Sequence, residues 1–334
     1  MASLRQPKYR VVLKKKNKDL KYTLTNAAIE ITLTDAEDGF AYQAEVKFVN
    51  VKIDGKYLSS QAEIRDTLYI YVNTTKAETS DKDVLLFYGP VWQKNVLSEK
   101  EKTFTLTAYD SLIYLQKSEG CRFFKKGKKT KTIMKAICKS WGLKLHYSYS
   151  SVKHGKKKLR GDYSSFITND LLEKVRRKTG KRGILRNDKG AIQVVPEGHN
   201  KSYYTIKNGE NIISNEYVST MEDVVTKVVI IGTKKKGKKT KTVKKTVKGN
   251  TKEWGTIQKI QDKGDSKWKT AKKEAKQTIK DYGHPQTRRK ITAYDIPFVR
   301  KGDHINVNYD MKIVKTITHN FHERTMEMEV EKKN

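Results

Sequence analysis

The side chains able to do chemistry are few and scattered along this 334-residue chain. The seven histidines are His146, His154, His199, His284, His304, His319 and His322, and only His319-Asn-Phe-His322-Glu323 forms a cluster. A zinc protease places two histidines four apart on a helix with a glutamate between them. Here the spacing is three, in a strand-to-turn context, so a plain turn is the expectation. Cys121 and Cys138 have neither a disulfide framework nor metal-ligand spacing and are expected to be buried, reduced thiols. No Gly-x-Ser-x-Gly elbow, phosphate-binding Walker loop or dinucleotide fingerprint occurs. The carboxylates of residues 1–110 offer no pair marked out as acid and base. The pattern argues against an enzyme and calls for no cofactor or metal.

Charge is the other chemical resource. Lys and Arg total 71 against 37 Asp and Glu, a formal net charge of +34. It is local: residues 1–110 carry 17 against 15, residues 111–204 carry 24 against 6, and residues 205–334 carry 30 against 16. The basic tracts are 122–131, 153–160, 174–182 and 234–248. Lys125, Lys126, Lys128 and Lys129 in the first, and Lys234, Lys235, Lys236, Lys238 and Lys239 in the last, are candidate contacts for a polyanion or a protein partner. Such tracts bind nucleic acid or teichoic-acid-like polymers through counterion release, without specificity. Solvated lysine-rich loops are the plainer reading, and aromatic interleaving is sparse.

The elements that would carry these groups are mostly strands. Tyr9–Leu13, Ala28–Leu33, Ala41–Phe48, Thr67–Tyr71, Val84–Gln93 and Lys102–Ala108 are rich in β-formers and divided by turn or loop signals. A weak helix candidate lies near Ser59–Arg65. The class then changes. Ile133, Ala136, Ile137 and Trp141 make one helical stripe closed by Gly142, and Leu143–Tyr149 reads as a strand. A second helix spans Thr168–Thr179, with a capping Thr or Asn and Leu171, Leu172 and Val175 inward. Gly183–Asn187 and Ala191–Val195 flank an Asp-Lys-Gly turn as a hairpin. β character returns at Tyr203. Glu216–Gly232 is expected to begin a second sheet, 233–252 to be a basic hairpin tip or loop, Trp254–Ile260 a strand and Ser266–Tyr282 a helix. Three C-terminal runs then form a meander whose partners begin roughly 100 residues upstream. Its last strand alternates Met326, Met328 and Val330 with Glu327, Glu329 and Glu331.

The predicted class is therefore α+β, mainly β: a first small β-barrel domain over 1–112, an α+β insertion over 113–202, and a second β-barrel domain over 203–334 carrying basic loop 233–252 and helix 266–282. Thr-Ala-Tyr-Asp occurs at 107–110 and again at 292–295, at comparable places in the two β regions. No apolar run approaches the roughly 18 residues of a membrane span. The N-terminus lacks the apolar core of a signal peptide, so cytoplasmic synthesis is the expectation.

Several stretches together resemble a known family. They are Thr-Ala-Tyr-Asp-Ser-Leu-Ile-Tyr-Leu-Gln-Lys-Ser (107–118), Asn-Asp-Leu-Leu-Glu-Lys-Val in the insertion, Ile-Ser-Asn-Glu-Tyr-Val-Ser-Thr-Met-Glu-Asp-Val-Val-Thr-Lys-Val (213–228), and Lys-Gly-Asp-His-Ile-Asn-Val through Met-Glu-Met-Glu-Val. The chain resembles baseplate hub proteins of contractile phage tails and phage-tail-like bacteriocins, above all the XkdQ-like hubs of defective prophages. The resemblance implies two related tube-like barrels per chain and a homotrimer that forms a pseudo-hexameric ring. Its implied partners are the hexameric tail tube, the trimeric spike, the tape-measure protein and other baseplate proteins, with DNA passing transiently. It implies no catalytic residues; any wall hydrolase is expected to be a separate protein. Assembly in the bacterial cytoplasm and then residence in the particle's baseplate would follow. A polyanion-binding protein and a cell-wall hydrolase are the competing readings. In such a ring, acidic Glu327, Glu329 and Glu331 could line the central channel, where DNA or an extended protein would slide without sticking; a solvent face or salt-bridged interface is the alternative.

Overall fold

The computed structural model describes residues 7–73, 83–96, 102–236, 239–264 and 266–332. Its centre is a 13-stranded sheet built from both β regions. Strand-forming sequence explains it locally. In Gln43–Val49 and Thr103–Tyr109, Ala44, Val46 and Phe48 face Ala108, Leu106 and Phe104 across the ladder, all buried. The Phe48 and Phe104 rings stack at 5.4 Å. The six strands expected before residue 110 are all present, with their ends within two residues of the expected ones.

Two runs of four strands repeat one arrangement. Ala28–Asp35, Gln43–Val49, Val84–Asn95 and Thr103–Tyr109 lie in the order first, second, fourth, third. Ile212–Thr220, Gln286–Tyr294, Asp310–Asn320 and Thr325–Lys332 lie in that same order. β-Bulges mark matching places. The first strands are irregular at Ala28/Glu30 and at Ile212/Ser214, and the third at Val91/Gln93 and at Val314/Thr316. A bulge inserts one residue at a defined point, so its recurrence fixes the alignment. The two runs join head to tail: Ile317–Asn320, in the third strand of the second run, pairs antiparallel with Thr32–Asp35, in the first strand of the first.

That seam adds to one expectation and corrects another. The meander does find a partner about 100 residues upstream, where Thr205–Ile206 pairs with Asn306–Val307, but Asp310–Asn320 also pairs with Ala28–Asp35, nearly 290 residues upstream. Among the described residues the strands form an open path, not two closed barrels. The Thr-Ala-Tyr-Asp repeat also changes meaning. Residues 107–110 end a fourth strand and residues 292–295 a second strand, so the tetrapeptides occupy non-equivalent places at opposite ends of the sheet.

The elements after Asp110 that lie outside this sheet stand on one end of it, while the hairpin Lys52–Tyr57 and the short helix Leu58–Gln61 follow Val49 at the other. Between Asp110 and Ile206, an apolar cluster of Leu112, Ile133, Ile137, Phe166, Leu171 and Val194 gathers helix Thr130–Ser140 and two small sheets. The helix expected from Thr168 begins earlier: Tyr163–Ser165 leads into a π-helical stretch, Phe166–Leu172, and then Glu173–Thr179. Its cap is Asp162, whose Oδ1 accepts from the Ser165 N–H at 2.6 Å, rather than Thr168 or Asn169. Two strands hidden in the lysine tracts, Glu119–Phe124 and Lys157–Asp162, pair with each other. The expected sheet strand Glu216–Gly232 divides. Ile212–Thr220 stays with the main sheet, whereas Lys227–Lys236 joins Lys239–Lys248 and Gln258–Asp262 in a three-stranded sheet. Helix Trp268–Tyr282 covers that sheet, setting Ala271 and Ala275 over Val228, Ile230 and Val247. Thr251–Trp254 is a short helix, so the strand expected from Trp254 starts at Gln258. Cys138 is buried as expected, but Cys121 is exposed because it lies on the outer face of a two-stranded ribbon.

Candidate functional site: a polar sheet face and a charged cleft

Period-two alternation gives the eight-strand run one apolar and one polar face. The polar face reads, strand by strand, Glu216 and Val218; Arg288, Lys290 and Thr292; Glu327, Glu329 and Glu331; Thr316 and Thr318; Thr32, Thr34 and Glu30; Glu45 and Lys47; Thr105 and Thr107; Gln93 and Asn95. Six carboxylates oppose three cations there, in a chain of net charge +34. Hydroxyls line the seam itself, where Thr34 and Thr318 Oγ1 lie 3.3 Å apart. Glu327, Glu329 and Glu331 do share this face, but they differ. Glu327 is exposed; Glu329 reaches Arg288 at 3.4 Å; Glu331 is drawn into a cluster with Arg182 at 3.3 Å, Arg288 at 3.4 Å and Lys315 at 3.8 Å. Glu30, Glu45 and Glu216, which sequence reasoning passed over, extend the acidic face. Their signal was the same alternation, diluted by shorter runs.

Glu331 belongs to the cleft at the decorated end of the sheet, a cavity of about 670 Å³ lined by all three regions of the chain. Arg288 binds Glu37 at 2.9 Å and Asp223 at 3.2 Å. Lys315 binds Glu197 at 2.8 Å and Glu37 at 3.1 Å. Burial pulls the Lys315 ammonium down, but Glu197 and Glu37 outweigh it and hold its pKa above the usual value. Burial likewise pushes Glu37 up, and Lys315 and Arg288 bring it below the ordinary carboxylate range. Arg176 pairs with Glu173 at 2.7 Å and with Asp281, and the Tyr282 ring lies 4.7 Å from its guanidinium carbon. Opposite charges alternate around the cavity, so it holds the regions together rather than presenting one sign to a ligand.

Beneath the cleft, the seam buries a second polar group. Asp35, 1% exposed, takes Arg300 at 2.8 Å and Lys301 at 3.4 Å, and Arg300 stacks 3.6 Å over Tyr42. Burial raises the Asp35 pKa, but Arg300 and Lys301 bring it down to about 2. Nearby Asp110 moves the other way: burial lifts its carboxyl to about 7, although its Oδ1 accepts the Leu112 N–H at 2.9 Å. At the far end of the seam, Tyr9 Oη donates to Asp295 Oδ2 at 2.9 Å. His319 Nδ1 meets Asp295 Oδ1 at 2.6 Å, and its Nε2 donates to the Val299 carbonyl at 2.9 Å. His319 is thus a buried strand residue that crosslinks the sheet, while His322 sits exposed in the following turn. Among the described residues no group of three His, Cys, Asp or Glu side chains could hold a metal ion, and no helix is long and apolar enough to cross a membrane.

The lysine candidates fall in two separate elements. Lys125, Lys126, Lys128 and Lys129 are exposed on the loop between Glu119–Phe124 and helix Thr130–Ser140. That loop is zipped to the next basic tract by a Lys129–Lys153 bridge, with Gly127 N–H donating to the His154 carbonyl at 2.8 Å. Lys234, Lys235, Lys236 and Lys239 occupy the ends of the Lys227–Lys236 and Lys239–Lys248 strands; Lys238 lies outside the described residues.

The fold is that of phage tail proteins. The 43 kDa tail protein of prophage MuSo2 from Shewanella oneidensis superposes with a TM-score of 0.67 at 14% identity, covering 97% of this chain and 98% of that one. A tail protein from Neisseria meningitidis MC58 does so with a TM-score of 0.67 at 11% identity, covering 98% and 97%. The Escherichia coli protein c3393, a type VI secretion component described as similar to the T4 tail proteins gp27 and gp5, reaches 0.55 at 8% identity, covering 92% and 74%. No curated protein matches the chain. Residues 40–332 match the YQBQ-like profile, and the chain belongs to that phage-associated family.

Proposed function

We propose that the chain is the baseplate hub of a contractile injection tail, a structural protein without catalytic activity. Three copies form a ring that joins the hexameric tail tube to the trimeric spike. The observation that carries this reading is the duplicated four-strand run, matched in strand order and in both bulges, and joined head to tail. Three copies of a twofold repeat present six similar sheet units, which suits a sixfold partner on one side and a threefold partner on the other. The domain limits that go with this reading are 1–112, 113–202 and 203–334, with each β domain acting as an open segment of the ring's wall.

In this ring the polar face is the channel wall. Glu327 and Glu329, joined by Glu30, Glu45 and Glu216, supply negative charge between hydroxyl rows, so DNA or a tape-measure protein passes without adhering. The lysine loops point to other baseplate proteins. Assembly takes place in the bacterial cytoplasm, and the product resides in the particle.

The test is native mass measurement of the purified chain together with micrographs of particles lacking it. A mass three times 38.6 kDa, with particles that fail to build a baseplate, is expected. A monomer, or intact baseplates without the protein, would overturn the hub. Steep salt-dependent DNA binding by that monomer would favour the polyanion-binding reading, which the lysine tracts alone support.

A further inference from the structure

Residues 221–285 carry nineteen lysines against seven carboxylates, and the three strands they form are covered by a helix on one face. Trp268–Tyr282 lies over Val228, Ile230 and Val247. Period-two alternation sends the intervening side chains to the opposite face. There Val229 stands between Thr246 and Ile260, and Ile231 between Lys244 and Asp262. One row away, Lys227 lies beside Lys248. Ile260 is 63% exposed, and Lys244, Thr246, Lys248 and Asp262 are exposed around it. Val229, Ile231 and Ile260 take no part in the apolar cluster under the helix.

That face lacks a layer on two counts. The ladder between Lys227–Lys236 and Gln258–Asp262 is parallel, and parallel strands are as a rule covered on both faces, because their crossover connections place helices there. Three β-branched apolar side chains also meet on two adjacent strands, Val229 directly opposite Ile260. A purely solvated surface of this lobe looks different: on the outer side of the helix, Lys272, Lys273, Lys276 and Lys280 are all exposed lysines.

The dimensions and the charge say what fits. Three strands spaced about 4.8 Å apart make a face roughly 10 Å wide, the diameter of one α-helix. Lys227, Lys244 and Lys248 rim the apolar strip, and Asp262 is the one carboxylate among the paired residues of that face. A nucleic acid or a teichoic-acid-like polymer would neutralise the lysines but bring no apolar side chains to cover Val229, Ile231 and Ile260. A helix with an apolar stripe between rows of glutamate or aspartate satisfies both.

The geometry points to this face as the docking site for an acidic amphipathic helix of another protein, which lies against the strands opposite Trp268–Tyr282 and supplies the second layer. The inference needs only the lobe and stands apart from the ring. The probe is a synthetic helical peptide of about 18 residues, with leucines at the i, i+3, i+4 and i+7 spacing and glutamates flanking them. Its binding to the full chain is read by fluorescence anisotropy. Ile260→Ser, which leaves the net charge unchanged, should weaken binding about tenfold. Lys244→Glu with Lys248→Glu should weaken it at least as much. Lys272→Glu with Lys276→Glu, the same change of charge on the far side of the helix, should weaken it less than about threefold. A peptide of identical composition in scrambled order should bind about tenfold more weakly. Equal losses from the two lysine pairs, equal binding of the two peptides, or no effect of Ile260→Ser would leave only a general polyanion patch and overturn the proposal. In purified tail particles, benzoylphenylalanine in place of Ile260 should crosslink to an acidic helical segment of a second protein. A crosslink to this chain or to nucleic acid, or none at all, would equally overturn it. If the particles lack the chain altogether, the hub reading fails, and the peptide comparison still decides this one.

Discussion

Replacing Asp35 by alanine should be among the most damaging single changes in the sheet, because it strands two cations at the seam. Arg300 and Lys301 both pair with this carboxylate, which is 1% exposed; Lys301 Nζ keeps the Ala36 and Gly39 carbonyls, so the greater loss falls on Arg300. Breaking one member out of a buried ion pair typically costs about 3–5 kcal/mol, most of it the penalty of the charge left behind. The pH dependence gives a second, independent magnitude. The pKa falls from an ordinary 3.8 to about 2 in the fold, a difference worth about 2.4 kcal/mol. Since the folded value is the lower one, this stabilisation is complete above about pH 4 and disappears as the pH falls through about 2. Urea unfolding of wild type, Asp35→Ala, Arg300→Met and the double variant, each at pH 7 and pH 3, would measure both. The double variant should recover part of the loss, because it removes both the orphaned charge and its partner, with a coupling energy above about 1.5 kcal/mol. Coupling below about 0.5 kcal/mol, or an acid slope unchanged in Asp35→Ala, would refute the claim that this pair fastens the seam.

Three further outcomes follow from single sites. Asp110 is held neutral by burial, with a folded pKa of about 7 above its ordinary value, so native stability should decline as pH rises from about 4 to 7; Asp110→Asn should flatten that decline and gain about 1–3 kcal/mol at pH 8, read by thermal melts across pH. His154 is 2% exposed, and burial, aided by Lys174, Lys157 and Lys178, lowers its pKa to about 3. Its neutral form is the folded one, so wild type should lose stability between pH 6.5 and 3; His154→Asn should remove that slope while costing about 1 kcal/mol at pH 7 through the lost contact with Thr130 Oγ1. Gly89→Ala should be severe, because its Cβ would lie 1.9 Å from the Tyr109 carbonyl oxygen, a backbone atom with nowhere to go; a drop of more than about 3 kcal/mol in denaturant unfolding is expected, and tolerance of the change would contradict the packing of these strands.

Sequence reading succeeded where one physical signal dominated. Strands such as Thr103–Tyr109 announce themselves because Phe104, Leu106 and Ala108 alternate with threonine and tyrosine, and all three are buried. Helix Trp268–Tyr282 does so because Ala271 and Ala275 recur at helical spacing. It failed where composition masked pairing. Glu119–Phe124 and Lys157–Asp162 look like solvated basic tracts, yet their backbones pair with each other and their inner face buries Phe124 and Leu159. The π-helical Phe166–Leu172 was invisible, since an extra residue in one turn leaves no periodic mark over so short a stretch. The seam itself could not be foreseen. Edge pairing between residues 282 to 288 apart is set by which edges the whole fold leaves free, and no local pattern encodes that.

The same seam explains why a strongly basic chain carries an acidic sheet face. Whereas residues 50–83 leave from the other end, after Val49, the two lysine-rich additions to the duplicated runs, the 113–202 region and the 221–285 segment, leave from the end of the sheet where Asp35, Asp110 and Thr220 lie. Most of the lysine surplus travels with them, and the sheet keeps its carboxylates and threonines. Each addition occurs once per chain, whereas the four-strand unit occurs twice. In the proposed ring the lysine-rich end therefore repeats three times, which suits the threefold spike. On that proposal the other end, where turns such as Phe321–Arg324 lie, would face the tube. Reversing the charge of the spike-side loop, with Lys125, Lys126, Lys128 and Lys129 all changed to Glu, should then abolish spike attachment in pull-downs while tube attachment survives; loss of the tube instead would invert the orientation.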